Sequence, residues 1–181
     1  MGISRQLLLN ALSQIVPFGI NVLIVNILGF DSFGEYSYYA SFYFVTAVVV
    51  TLRLQHTLFG VANESIEALN NSASTVVYIS FILFFIVGIY SVSISDMNYL
   101  FAIIIGGQVG FFEVVKNYFI KTEKLLLVAL FRFINAALPL ISIIILESFV
   151  RPLIGHLIGV LLITIFYIVF LKNLKILHPR V

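Results

Sequence analysis

Apolar residues fill this chain in blocks of about twenty, and polar or charged residues fall mainly between the blocks. A membrane-crossing helix needs about 20 mostly apolar residues. Six blocks meet that length, at about 7–28, 36–58, 75–93, 99–120, 125–146 and 153–171. The pattern therefore predicts an all-α integral membrane protein with six transmembrane helices. They form one membrane lobe over 1–172, and 173–181 is a short basic tail. Lys and Arg in short loops set the orientation. Arg5, Lys121, Lys124, Lys172, Lys175 and Arg180 fall on one side of six alternating spans. Asp31, Glu35, Asp96 and Glu147 fall on the other, where Arg151 is the lone basic residue. The basic side is cytoplasmic on this reading, and so are both termini.

The span boundaries carry their own signals. In Leu28-Gly29-Phe30-Asp31-Ser32-Phe33-Gly34-Glu35-Tyr36, Gly29 suits a helix C-cap, and Ser32 with Glu35 fits a capping box. These predict a tight hairpin, followed by Tyr36, Tyr38, Tyr39 and Tyr43 at the membrane interface. The stretch from Phe59 to Ser74 reads as a longer inner loop with a short amphipathic turn. Asn63 and Asn70 open glycosylation patterns in that cytoplasmic loop, where such sites go unused. Gly106 with Gly110, and Gly155 with Gly159, are G-x-x-x-G pairs, expected to be packing seams within the lobe rather than dimer contacts.

Composition agrees. The 181 residues are 61% hydrophobic and 10% charged, against about 25% charged in a soluble domain. That gap excludes an ordinary globular enzyme and a disordered chain. The net charge is +2 with no dense basic stripe, so no nucleic-acid partner is expected. The absence of Cys rules out disulfides and thiol chemistry. His56, His156 and His178 are scattered without metal-ligand spacing, and His156 reads as a packing residue near one end of the sixth span. No P-loop, dinucleotide fingerprint or catalytic pair stands out. The chain is read as a non-enzyme with no cofactor and no metal.

Polar residues inside the spans are the candidate functional set. Asn10, Gln14, Pro17 and Asn21 share one face of the first span. Arg132, Asn135 and Pro139 share a face of the fifth, extended by Ser142. Lipid cannot satisfy such groups, so these faces must meet protein or a water-filled cavity. Pro17 and Pro139 are expected to kink their helices. Glu113 and Lys116, three residues apart on the fourth span, are placed to pair. With Arg53 and Arg132 they could make a mildly cationic vestibule suited to a phosphate-bearing headgroup, or stand as separate interfacial anchors.

Three stretches carry a family resemblance: Leu12-Ser13-Gln14-Ile15-Val16-Pro17, the segment Leu28-Gly29 through Phe33-Gly34-Glu35-Tyr36-Ser37, and the basic loop leading from Asn117 into the Arg-bearing fifth span. In them the chain resembles the amino-terminal half of bacterial polysaccharide-biosynthesis (O-antigen) flippases. These belong to the multidrug/oligosaccharidyl-lipid/polysaccharide exporter superfamily. The resemblance implies two six-helix lobes around a central cavity, alternating access, and a multi-pass protein of the bacterial inner membrane. It implies a substrate of undecaprenyl-diphosphate-linked oligosaccharide. Arg53, Lys116 and Arg132 become candidate cavity cations, with Asn10, Gln14, Asn21 and Asn135 lining the same space. Glu113 becomes a protonatable or charge-partner site. The chain ends after one lobe, so a truncated product, half of a homodimer or half of a split pair is expected. Another small-molecule exporter of the superfamily, or a non-transporting membrane assembly protein, is the competing reading.

Overall fold

A computed structural model describes residues 2–51, 66–122, 124–146 and 151–173. The described residues are all-α and form five helices: α1 (Gly2–Thr51), α2 (Ile66–Ser93), α3 (Asn98–Lys121), α4 (Leu125–Leu146) and α5 (Pro152–Asn173).

Among the described residues, four stretches are long and apolar enough to cross a membrane: Asn71–Ser93, Asn98–Ile120, Leu125–Leu146 and Pro152–Val169. They coincide with the third to sixth expected spans. The chain therefore reads as a multi-pass α-helical membrane protein. The first two expected spans fall on α1, which is helical but not among these four, and residues 52–58 lie outside the described residues.

α1 breaks at Gly29, where the sequence places a helix end, and corrects the capping expected after it. It has two helical arms, 2–28 and 30–51, joined at the single residue Gly29 (φ 79°, ψ 168°). That backbone geometry is open essentially only to glycine. The helix resumes at once, so Ser32 and Glu35 lie inside the second arm rather than ahead of it. Glu35 faces Arg151 instead, at 3.7 Å between two exposed side chains. Exposed pairs of this kind stabilise by about 1 kcal/mol at most.

A second correction concerns the expected inner loop. α2 already begins at Ile66, so 66–74 is helix continuous with the third span. The rest of that loop, with Asn63, lies outside the described residues, as do Arg53, His56, His178 and the tail from 174 onward.

α1 packs chiefly on α3 and α4, α5 on α4, and α2 on α3. Both glycine pairs are seams inside the chain. A Cβ on Gly106 would stand 2.6 Å from the Tyr43 carbonyl oxygen, and one on Gly110 would stand 2.5 Å from a Val50 methyl. These two glycines let α3 close on the second arm of α1. Gly155 and Gly159 do the same for α5 on α4, where a Cβ would lie 3.0 Å from Ile143 Cα and 2.6 Å from Pro139 Cα. Such close backbone approach lets dispersion hold helices together where lipid provides no hydrophobic drive. Pro139 sits inside α4 without ending it.

The core has two parts. Toward the α3–α4 turn it is aromatic: the Phe119 and Phe131 rings stack at 5.5 Å, and Phe112 stacks on Tyr167 at 6.0 Å. Toward the Gly29 end it combines Ile24, Ile105, Ile143 and Leu157 with Tyr36, Tyr39 and Tyr43. There Asp96 ties the α2–α3 turn down, accepting hydrogen bonds from the Tyr39 hydroxyl and the Asn98 N–H.

Candidate functional site

Between the second arm of α1 and helices α3, α4 and α5 lies an open-sided cleft of about 740 Å³. That is the size range of small-molecule sites. Pro139, Asn135 and Arg132 descend one face of α4 along its wall, and Glu113 stands on α3. Asn21, from the first arm of α1, lines it as well.

The charge balance at the Arg132 end follows from pairing. Glu113 and Lys116 form the expected ion pair, and the Lys116 ammonium is largely buried while doing so. A pair three residues apart on one helix cancels most of its own field. Arg132 is half-buried, and among the described residues no carboxylate lies within ion-pair distance of its guanidinium. An intramembrane cation left in this state must face water or an anion, because hydrocarbon would cost several kcal/mol. Among the described residues, the cleft therefore carries one positive charge without an ion-pair partner.

Asn135 is held from behind. Its side-chain oxygen accepts a hydrogen bond from Gln108 Nε2 at 2.9 Å and a longer one from the Tyr167 hydroxyl at 3.3 Å. The Tyr167 hydroxyl shares its one proton between this oxygen and the Phe131 carbonyl at 3.4 Å, so Gln108 is the firmer partner. Three helices, α3, α4 and α5, are tied together through this one amide. Neither Gln108 nor Tyr167 belongs to the expected polar faces. Gln108 was legible as a polar residue in the fourth span, but nothing in its spacing paired it with Asn135.

The other end of the cleft has a different character. Tyr36, Tyr43 and His156 meet there, and Tyr36 Oη shares a hydrogen bond of 2.7 Å with His156 Nδ1. Their rings are in contact, with centroids 5.8 Å apart for Tyr36–His156 and 5.2 Å for Tyr43–His156. The structure adds to the interfacial reading of the tyrosines the side on which they pack. Tyr36, Tyr39 and Tyr43 are buried, and only Tyr38 of the four is exposed, pairing with Tyr99 at 2.8 Å between hydroxyls. The signal was present, since 36, 39 and 43 recur at helical spacing and so share a face. His156, read from sequence as a packing residue, is both packed and on the cleft wall.

Of the sequence-derived set, the fold brings Asn21, Glu113, Arg132, Asn135 and Pro139 to one cleft. Lys116 reaches it through Glu113. Asn10, Gln14 and Pro17 stand on the first arm of α1, and their side chains lie outside the described residues, as does Arg53 altogether. No protein family, curated protein or solved structure matches this chain.

Proposed function

We propose that the chain is a lobe of a membrane transporter that flips lipid-linked oligosaccharide repeat units for surface polysaccharide assembly. It would act in a bacterial inner membrane, with a second six-helix lobe or a second copy of itself completing the path. The observation that carries this reading is the Arg132 guanidinium, without an ion-pair partner among the described residues, on the wall of a cleft flanked by membrane-length helices. A guanidinium with donors to spare is suited to the diphosphate of a lipid-linked sugar. Asn135 lines the same cleft one turn away, and Lys116 pairs with Glu113, the carboxylate that lines it. The sequence resemblance to polysaccharide flippases supplies the substrate class. Alternating access would then move the cleft from one face of the bilayer to the other.

The test is translocation of a fluorescent undecaprenyl-diphosphate oligosaccharide in proteoliposomes holding a complete two-lobe assembly. Arg132→Ala is expected to reduce flipping at least about tenfold, the order of one charge-assisted contact. Arg132→Lys keeps the charge but not the fork and should fall between. Unchanged flipping in a folded Arg132→Ala protein removes the basis of this reading.

A further inference from the structure

His156 is 6% exposed, yet it lines the cleft. Its Nδ1 is engaged by Tyr36. Among the described residues no partner bonds its Nε2, and Nε2 is not among the fully enclosed, unbonded side-chain atoms. His156 lines the cleft, and with Nδ1 engaged, Nε2 is the ring nitrogen left for a ligand there. A histidine with one nitrogen tied to protein and the other facing a cavity is an oriented hydrogen-bonding point.

The packing holds it there. Gly155 and Gly159 bracket His156 and bring α5 against the α4 backbone at Ile143 and Pro139. Larger residues at either position would push α5, and the imidazole with it, off the cleft wall. The surroundings at this end are aromatic and hydroxylic: Phe33, Tyr36 and Phe44, with Ser37 and Ser41. No carboxylate or ammonium of the described residues lines the cleft here; Glu113 and Arg132 belong to its other end. Aromatic faces with a few fixed hydrogen-bonding groups and no net charge suit an uncharged, hydroxyl-rich ligand rather than an anion.

Helix register gives the separation. The contacts of Gly155 and Gly159 place His156 level with about Ser142, ten residues beyond Arg132 on α4. At 1.5 Å per residue that is about 15 Å. One phosphoryl group or one sugar ring does not bridge such a span.

We propose that the Tyr36–His156 end of the cleft is a second ligand subsite, which takes uncharged sugar rings while the phosphate of the same molecule sits at Arg132. The assignment rests on the transport reading and adds to it where the sugars of the ligand are held. His156 Nε2 is the fixed hydrogen-bonding atom, and Tyr36 is a positioning residue that sets the imidazole.

The test uses the full chain in lipid nanodiscs. Binding of inorganic phosphate, glucose 1-phosphate and maltose 1-phosphate is measured by calorimetry. Maltose 1-phosphate is expected to bind about tenfold more tightly than phosphate, one good hydrogen bond's worth, with glucose 1-phosphate close to phosphate. His156→Phe should erase the disaccharide's advantage and leave phosphate binding unchanged. His156→Gln retains a hydrogen-bonding group and should recover part of it. Arg132→Ala should weaken all three ligands. The subsite is overturned if maltose 1-phosphate has no advantage in the native protein, or if the advantage survives in both His156 variants. In either case Arg132-dependent phosphate binding leaves the transport reading standing. If Arg132→Ala changes nothing for any ligand, both fall.

Discussion

α2 and α3 are neighbours of similar length, and they use their apolar residues in opposite ways. The membrane-length part of α2 has a mean hydropathy of 2.3, and 11% of it is buried in the protein; for α3 the values are 1.5 and 56%. The less apolar helix is the more buried one. In water this would be an inversion. In a bilayer it is expected, because lipid tails solvate Phe81, Phe85, Ile86 and Ile89 of α2 as well as a protein core would. What draws α3 inward is what lipid cannot offer: close backbone contact at Gly106 and Gly110, and a polar partner for Gln108.

Paired substitutions on the two helices break or sharpen this contrast. The largest effect is expected for Phe119→Ala on α3. It would empty a fully buried site stacked on Phe131, costing about 3 kcal/mol, mostly from the cavity left behind. Phe85→Ala on α2, exposed at 64%, should cost about 0.5 kcal/mol or less in the same denaturant titration in mixed micelles. Next comes Gly106→Ala, whose new methyl meets the Tyr43 carbonyl and Thr46 at well under contact distance. It should cost about 2 kcal/mol by overpacking, seen as an earlier unfolding midpoint. Gly88→Ala on α2 meets only a Leu100 methyl at 3.6 Å and should be neutral or stabilising by a few tenths of a kcal/mol through helix propensity.

A smaller effect tests the join between the two helices. Tyr39→Phe removes the hydroxyl that holds Asp96 in the α2–α3 turn, at a cost of about 1 kcal/mol. Faster proteolysis within 94–97 would report it, and an unchanged cleavage rate would show that the turn stands without this bond. The mildest probe is chemical. The chain has no native Cys, so a single cysteine can be introduced at will. In detergent micelles at about pH 8, where water reaches a surface thiol, Phe85→Cys should react with N-ethylmaleimide, and Ala102→Cys, fully buried on α3, should not. Equal labelling would mean that α2 is covered by protein rather than lipid.

Four spans were legible because their charge-poor runs of about twenty residues are bounded by charged or turn residues: Asp96 and Asn98 between α2 and α3, Lys121 to Lys124 between α3 and α4, and Arg151 with Pro152 before α5. The α1 break was legible in position and not in form. Gly29 marks where the helix stops, but one residue of positive φ lets it restart at once, and no local signal separates that from a capped hairpin. The polar face of α4 was readable from its three- and four-residue spacing, and so was the Glu113–Lys116 pair.

By itself, the sequence determined the solvent and the class of element. Long apolar runs belong in lipid, and backbone groups in lipid must be satisfied within a helix. It also determined which residues would be costly to leave facing lipid. Only the tertiary structure decided who satisfies them. Asn135 meets Gln108 from 27 residues away and Tyr167 from 32, and His156 meets Tyr36 from 120. Periodicity within one helix orients a face; it carries no information about which face lies opposite. That choice is made by packing, here by glycines that let four helices close around one cleft.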